Sequence, residues 1–255
     1  MSSPIWTPAA LSSERRAYAG DCWRMVEAQH RVSTLKLTNS LPEQELLEAL
    51  LEESKPRIPT VGQGLHFLLA APFRYGAVYP KGSRFRRAGR TQGVFYGAEH
   101  ASAAAAEMAF YRLLFYAESP DTPWPVNAAQ YTAFNAPVKT DRAIDLTKPP
   151  LAADRPVWTA LVNYAPCQSL ADSARAAELD VIRYESVRDP DHGANLAILS
   201  PEAFAAKAPA ALQTWRLNIG RFGAQALREF PPIALEFGRS GFSFDPRLHG
   251  MRWDR

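Results

Sequence analysis

The sequence predicts an α+β fold, and three observations carry that prediction. A short apolar strand, Gly93–Gly97, runs into an Ala-rich helix, Ser102–Glu118, that ends before Pro120. Two more strands, Val181–Ser186 and Leu196–Leu199, flank the polar turn DPDHGA. Strands are short and helices few, without the regular βαβ alternation of a doubly wound sheet.

The elements follow in chain order. Residues 1–19 read as a short helix or irregular arm. Cys22–Ala28 reads as a strand, with Trp23, Met25 and Val26 apolar and Arg24 among them. Pro42–Ser54 is an amphipathic helix: Ser40 is the N-cap, Glu43 follows three residues later, and Leu46, Leu47, Leu50 and Leu51 form the apolar stripe of a packing helix. Lys55–Gly64 is a Pro/Gly loop. His66–Ala71 is an apolar run that fits helix or strand, and Pro72–Gly82 is irregular. Gln130–Pro137 and Ala143–Leu146 read as strands about a turn at Thr140-Asp141. Cys167–Leu179 is a helix with Leu170, Ala174 and Ala177 on one face. Pro201–Ala211 begins a helix capped by Ser200. From Trp215 onward the pattern is mixed, with a strand at Ile233–Phe237.

Composition narrows the function classes. A 255-residue chain that is 47% hydrophobic and 22% charged buries a real core. The net charge of +3 does not suggest wholesale nucleic-acid binding. The run Lys81, Arg84, Arg86, Arg87, Arg90 is locally basic, and reads either as a solvated loop or as an anion site. An RNA-binding sheet would need interleaved aromatics, and here most aromatics sit in apolar runs. Cys22 and Cys167 are isolated and predict neither a zinc site nor a disulfide. The N-terminal residues lack a basic-then-apolar leader and no run reaches membrane-spanning length, so a cytoplasmic chain without membrane contact is expected. No Rossmann fingerprint, P-loop, zincin motif or nucleophile elbow is present.

What remains is Arg, Tyr, Glu and Ser in apolar surroundings. Glu107 is a lone carboxylate within Ala101–Phe110, an expensive placement unless it is paired or used. Arg84 lies in a Gly-Ser-Arg-Phe turn, Tyr96 ends a strand, Arg74-Tyr75 follows an apolar run, and Arg183, Tyr184 and Ser186 lie on or end a later strand. Arginines suit bidentate capture of a diphosphate. A tyrosine stacks on a nicotinamide or hydrogen-bonds a ribose. A carboxylate holds a ribose hydroxyl and stabilises an oxocarbenium-like centre. Each also has a plain alternative: Ser186, for one, fits a turn cap.

In order and spacing, PFRYGAVYPKGSRFRRAGRTQGVFYGAEHASAAAAEMAFYR, NYAPCQSLADSARAAELD and DVIRYESVRDPDHGANLAIL resemble the signatures of RES-domain proteins, over roughly Cys22 to Leu199. The resemblance implies one RES-like domain over 1–255, with 35–69 a helical insertion and 200–255 a C-terminal extension. It implies an ADP-ribosyltransferase-like arrangement of mixed sheets with flanking helices, and NAD in a cleft between two small sheets. Carried over, Glu107 matches the catalytic Glu, Arg84 the turn Arg, Tyr96 the strand-end Tyr and Ser186 the Ser. Gln168 and Tyr164 match the helix-opening Gln and aromatic, and Asn195 the residue of the closing strand. Arg24 and Arg74 both fit the first Arg, the latter with Tyr75 beside it. The turn reads SRFRRAG where many members have Gly-Arg-Trp/Phe-Asn. The implied function is that of an NAD-degrading toxin, or a catalytically silent protein of the same fold. NAD is then a substrate rather than a cofactor, no metal is needed, and the partner is an Xre-type antitoxin, within a homodimer or a toxin–antitoxin assembly.

Overall fold

In a computed structural model describing residues 6–28, 34, 37–74 and 82–255, the strands join one ten-stranded sheet in the order β1-β5-β6-β7-β3-β2-β4-β8-β9-β10. These are β1 (Arg16–Gly20), β2 (Trp23–Glu27), β3 (Phe95–Ala98), β4 (Ala129–Asn135), β5 (Val138–Asp145), β6 (Val181–Glu185), β7 (Ala194–Ile198), β8 (Ala211–Gly220), β9 (Gly223–Arg228) and β10 (Ile233–Gly238). The helices are α1 (Pro8–Ser13), α2 (Leu41–Ser54), α3 (Phe67–Arg74), α4 (Ala101–Glu118), α5 (Arg155–Trp158) and α6 (Ala165–Ala176). Neighbouring strands are antiparallel except the parallel pair β5–β6. The α+β expectation holds.

The expected two small sheets are instead one sheet with a seam. β4 and β8 pair from Ala129↔Leu217 to Asn135↔Ala211, whereas β2 meets β3 at the single pair Trp23↔Ala98. Gly97 permits that approach: a Cβ there would lie 2.4 Å from Cys22 Sγ and 2.9 Å from the Trp23 carbonyl oxygen. On one side of the seam α4 packs its alanines, Ala105, Ala106 and Ala109, against a core holding Trp215, Leu217 and Phe237. Small side chains let the helix lie close to the strands. On the other side Phe85, Ile144, Leu170, Ile182 and Ala197 form a second core.

Several expectations are corrected. The arm before β2 contains a strand, β1, which pairs with β5. The turn expected at Thr140-Asp141 is interior to β5, because Thr140 pairs with Tyr18 of β1 and its hydroxyl donates to Asp180 Oδ2 at 2.6 Å. Pro201–Ala211 is no helix but one 3-10 turn, Pro201–Ala203, capped by Ser200 Oγ accepting from the Glu202 amide. Phe204 is drawn into a bridge with Val138 and packs on Phe95 at 5.1 Å, and Pro209 bars helix beyond. α2 forms and is capped by Ser40 as expected. Of its stripe only Leu47 is partly buried, however: Leu46 is 61% and Leu50 54% exposed, and Gln44 is the buried residue of the helix. Residues 211–238 supply β8–β10, strands of the same sheet.

Among the described residues no helix is long and apolar enough to cross a membrane, and no group of three His, Cys, Asp or Glu residues is placed to hold a metal.

Candidate active site

A cavity of about 290 Å³ opens at the seam. β2 contributes Trp23, Arg24 and Met25 to its wall, and β3 contributes Tyr96, Gly97 and Ala98. The α4 face carrying Ala104, Glu107, Met108 and Tyr111 closes one flank. The remaining lining comes from Ser83-Arg84, Tyr164, Tyr184, Val187-Arg188 and Asn195.

The Arg84 turn is built from its backbone outward. The Ser83 amide donates to the Arg86 carbonyl at 2.9 Å and the Arg86 amide returns to Ser83 at 3.2 Å, closing a tight two-residue turn. Phe85 points into the core, edge-on to Tyr184 at 4.9 Å. That anchor leaves Arg84 on the cavity side, 6% exposed and 4.8 Å over the Tyr164 ring. Its Nη1 donates to the Trp158 carbonyl at 2.6 Å, while Nη2 is buried with no hydrogen-bond partner. Buried donors are almost always satisfied, so this one stands out in the wall.

Tyr96 and Gln168 both hold the turn, Tyr96 from the cavity wall. The Tyr96 hydroxyl lies 2.8 Å from Ser83 Oγ and accepts from the Phe85 amide at 3.0 Å. Burial pushes the Tyr96 phenol above its ordinary pKa, so it stays protonated and can donate. Gln168 Nε2 donates to the Ser83 and Arg86 carbonyls at 3.0 and 3.1 Å. Expected as a binding residue, Gln168 does not reach the cavity wall. Its place at the start of α6 makes it a clamp behind the turn.

Glu107 is half-buried and faces the cavity from α4. Its Oε1 accepts from Ser186 Oγ at 2.9 Å and from Asn195 Nδ2 at 2.8 Å. Among the described residues Oε2 has no hydrogen bond, so one oxygen is fixed and the other is available. Ser186 is fully buried and also accepts from the Arg188 and Asp189 amides at 3.3 and 3.1 Å. Rather than touching a ligand itself, it both caps its turn and orients Glu107.

The two candidates for the first Arg are far apart in role. Arg24 lines the cavity, lies 5.0 Å over the Phe95 ring and donates through Nη1 to the Tyr96 carbonyl at 3.2 Å, across the seam. Burial pulls its pKa below the ordinary guanidinium value. Arg74, at the end of α3, instead pairs with Glu52 of α2 at 2.6 Å and lines no part of the cavity. Tyr75 lies outside the described residues, as does Lys81.

The basic run is no solvated loop. Arg84 and Arg86 are buried, and Arg87 ties the turn to α6 through Asp172 at 2.6 Å and Ser169 at 2.8 Å. Arg90 is exposed.

Sequence reasoning missed part of the wall. Tyr111 was legible, since it lies one helical turn beyond Glu107 and so shares its face. Trp23 gave no such signal, because only the pairing of β2 with the distant β3 brings it here; Arg188 lies in the local turn between β6 and β7, and its partner Asp245 is far along the chain.

A family model described as the RES domain matches residues 56–219. That span begins later than the resemblance read from the motifs and runs on through β8. No curated protein matches the chain. Among solved structures it is similar to a chain of the M. tuberculosis MbcT–MbcA toxin–antitoxin complex, at 15% identity, with a TM-score of 0.43, over 82% of this chain and 92% of that one.

Proposed function

Because the chain belongs to the RES-domain family, we propose that it is an NAD-degrading enzyme acting as the toxin of a toxin–antitoxin pair. The observation that carries the reading is Glu107, with one oxygen anchored by Ser186 and Asn195 and the other free, in a cavity shared with Arg24 and Arg84. The two guanidiniums grip the diphosphate, Arg84 through its unpartnered Nη2. The aromatic lining, Trp23 and Tyr111 included, packs against the rings. Glu107 Oε2 accepts from a hydroxyl of the nicotinamide ribose.

The bond between the ribose anomeric carbon and the nicotinamide nitrogen breaks, and its electron pair leaves with nicotinamide, which becomes neutral. The positive charge passes to an oxocarbenium-like centre that the Glu107 carboxylate stabilises. Water then adds to the anomeric carbon and loses a proton, giving ADP-ribose; phosphate or a protein side chain serves equally as acceptor. NAD is consumed, so it is substrate and not cofactor. The protein partner is an Xre-type antitoxin that closes this cleft.

Purified protein incubated with NAD is expected to release nicotinamide, measured by chromatography. If none is released in water, in phosphate buffer or with added lysate, the enzymatic reading fails and a silent NAD binder takes its place.

The two candidate arginines separate in the same assay. Arg24→Ala is expected to raise the NAD KM at least about tenfold, because a substrate-binding guanidinium is lost. Arg74→Ala is expected to leave turnover unchanged, since Arg74 lines no part of the cavity. The reverse pattern would move the site away from the seam.

A further inference from the structure

Arg188 lies in the same cavity wall, in the turn between β6 and β7, within the stretch DVIRYESVRDPDHGANLAIL, where no role has yet been given to it. It is 4% exposed, with its guanidinium 4.6 Å over the Phe110 ring. Its hydrogen bonds are long. Nη2 lies 3.4 Å from the Leu161 carbonyl, 3.4 Å from the Tyr164 hydroxyl and 3.3 Å from Asp245 Oδ2. Nε is buried with no partner.

Asp245 does not neutralise this charge alone, because a second guanidinium holds it more tightly. Arg247 Nε donates to Oδ1 at 2.9 Å and Nη2 to Oδ2 at 2.7 Å, a two-pronged contact that the Arg247 amide reinforces at 3.1 Å. Burial pushes the fully buried Asp245 carboxyl up, but the Arg247 hydrogen bonds outweigh it and hold the group ionised, below its ordinary value. One carboxylate therefore faces two guanidiniums, and the shorter bonds go to Arg247. Burial works against the Arg188 charge, but Glu107 on the cavity side helps to outweigh it and keep the group charged, with one donor, Nε, buried and unused. A buried donor without an acceptor is rare, and is cheap to keep where an anion arrives.

The geometry also says where the anion lies. Arg84 covers the Tyr164 ring at 4.8 Å, and Arg188 approaches the hydroxyl of the same tyrosine. The two unsatisfied guanidiniums thus flank one side chain of the cavity wall. Asp245 is carried by the segment after β10, which docks on α4 through Phe242, edge-on to Phe110 at 5.5 Å. That segment lies beyond the family match, which ends at residue 219.

We propose that Arg188 is a third substrate-binding guanidinium, taking the diphosphate together with Arg84, and that Asp245 of the C-terminal segment positions it. The proposal rests on the NAD reading for the identity of the ligand, and on the protein alone for the existence of an anion site.

The test combines NAD kinetics with calorimetric titration of ADP-ribose and of inorganic diphosphate, on the full chain and on Arg188→Gln, Arg188→Lys and Asp245→Asn. Arg188→Gln is expected to raise the NAD KM and weaken ADP-ribose binding at least about tenfold, with kcat within about threefold of wild type. Arg188→Lys recovers part of the loss, since it restores charge without the fork. Asp245→Asn raises KM several-fold with kcat kept, a split that a purely structural role would not produce. Wild-type KM and ADP-ribose affinity in Arg188→Gln overturn the proposal. If that variant does not fold, an unchanged KM in Arg188→Lys overturns it. A wild-type protein that binds diphosphate through Arg188 yet neither binds nor cleaves NAD sinks the NAD reading and leaves the anion site standing.

Discussion

Glu107→Gln is expected to lower NAD turnover by about 100-fold or more, the usual cost of removing one electrostatic contact to a charge that develops in the transition state. The substitution isolates charge from shape. A glutamine oxygen still accepts from Ser186 Oγ and Asn195 Nδ2, so the side chain keeps its place on α4. The melting temperature therefore stays near wild type, and KM changes less than kcat. A variant with wild-type turnover would assign Glu107 to packing. One whose melting transition collapses would show that Ser186 and Asn195 need the carboxylate for the fold.

Arg84→Ala has the second-largest expected effect, on kcat/KM, and most of it appears in KM. The substitution removes the free Nη2 donor and the charge facing the diphosphate, a loss of about 10- to 100-fold. It also leaves the Trp158 carbonyl with only the weak Cys167 thiol as donor and strips Tyr164 of the guanidinium over its ring. Stability therefore falls by about 1–3 kcal/mol. Arg84→Lys separates the two effects: the ammonium keeps charge in the cavity but cannot reproduce the planar fork. A KM unchanged in both variants would remove Arg84 from the site.

Much of this arrangement was readable from local pattern. The Glu107 helix, the Tyr96 strand and the Ser186 turn each follow from residues within one element, and their chemistry from the oddity of a lone carboxylate among alanines. Arg84 could be singled out because a Gly-Ser-Arg-Phe turn must point one side chain in and the other aside. What local pattern does not encode is which surface another element covers. The leucines of α2 have helical spacing, yet Gln44 is buried and they are not. Arg74 sits in a motif as good as that of Arg24, but Glu52 claims it, and nothing in either stretch reports that pairing. Gln168 and Ser186, read from the sequence as ligand contacts, instead lie behind the cavity wall, one holding the Arg84 turn and the other Glu107. Arg188 depends on Asp245, 57 residues later in the chain, and no motif spans that distance.

The thin seam between β2 and β3 makes the floor of the cavity a joint. The two halves of the sheet meet there through one backbone pair, the tight packing of Gly97 on Cys22, the Arg24 guanidinium on the Tyr96 carbonyl and a buried core in which Phe134 of β4 meets Phe95 of β3 edge-on at 6.1 Å. An anion that engages Arg24 competes for the donor spanning the joint. A ligand that draws Arg24 from the Tyr96 carbonyl gives up one bond across the seam while the core beneath it stays packed, so the cost of that bond is subtracted from the ligand's affinity.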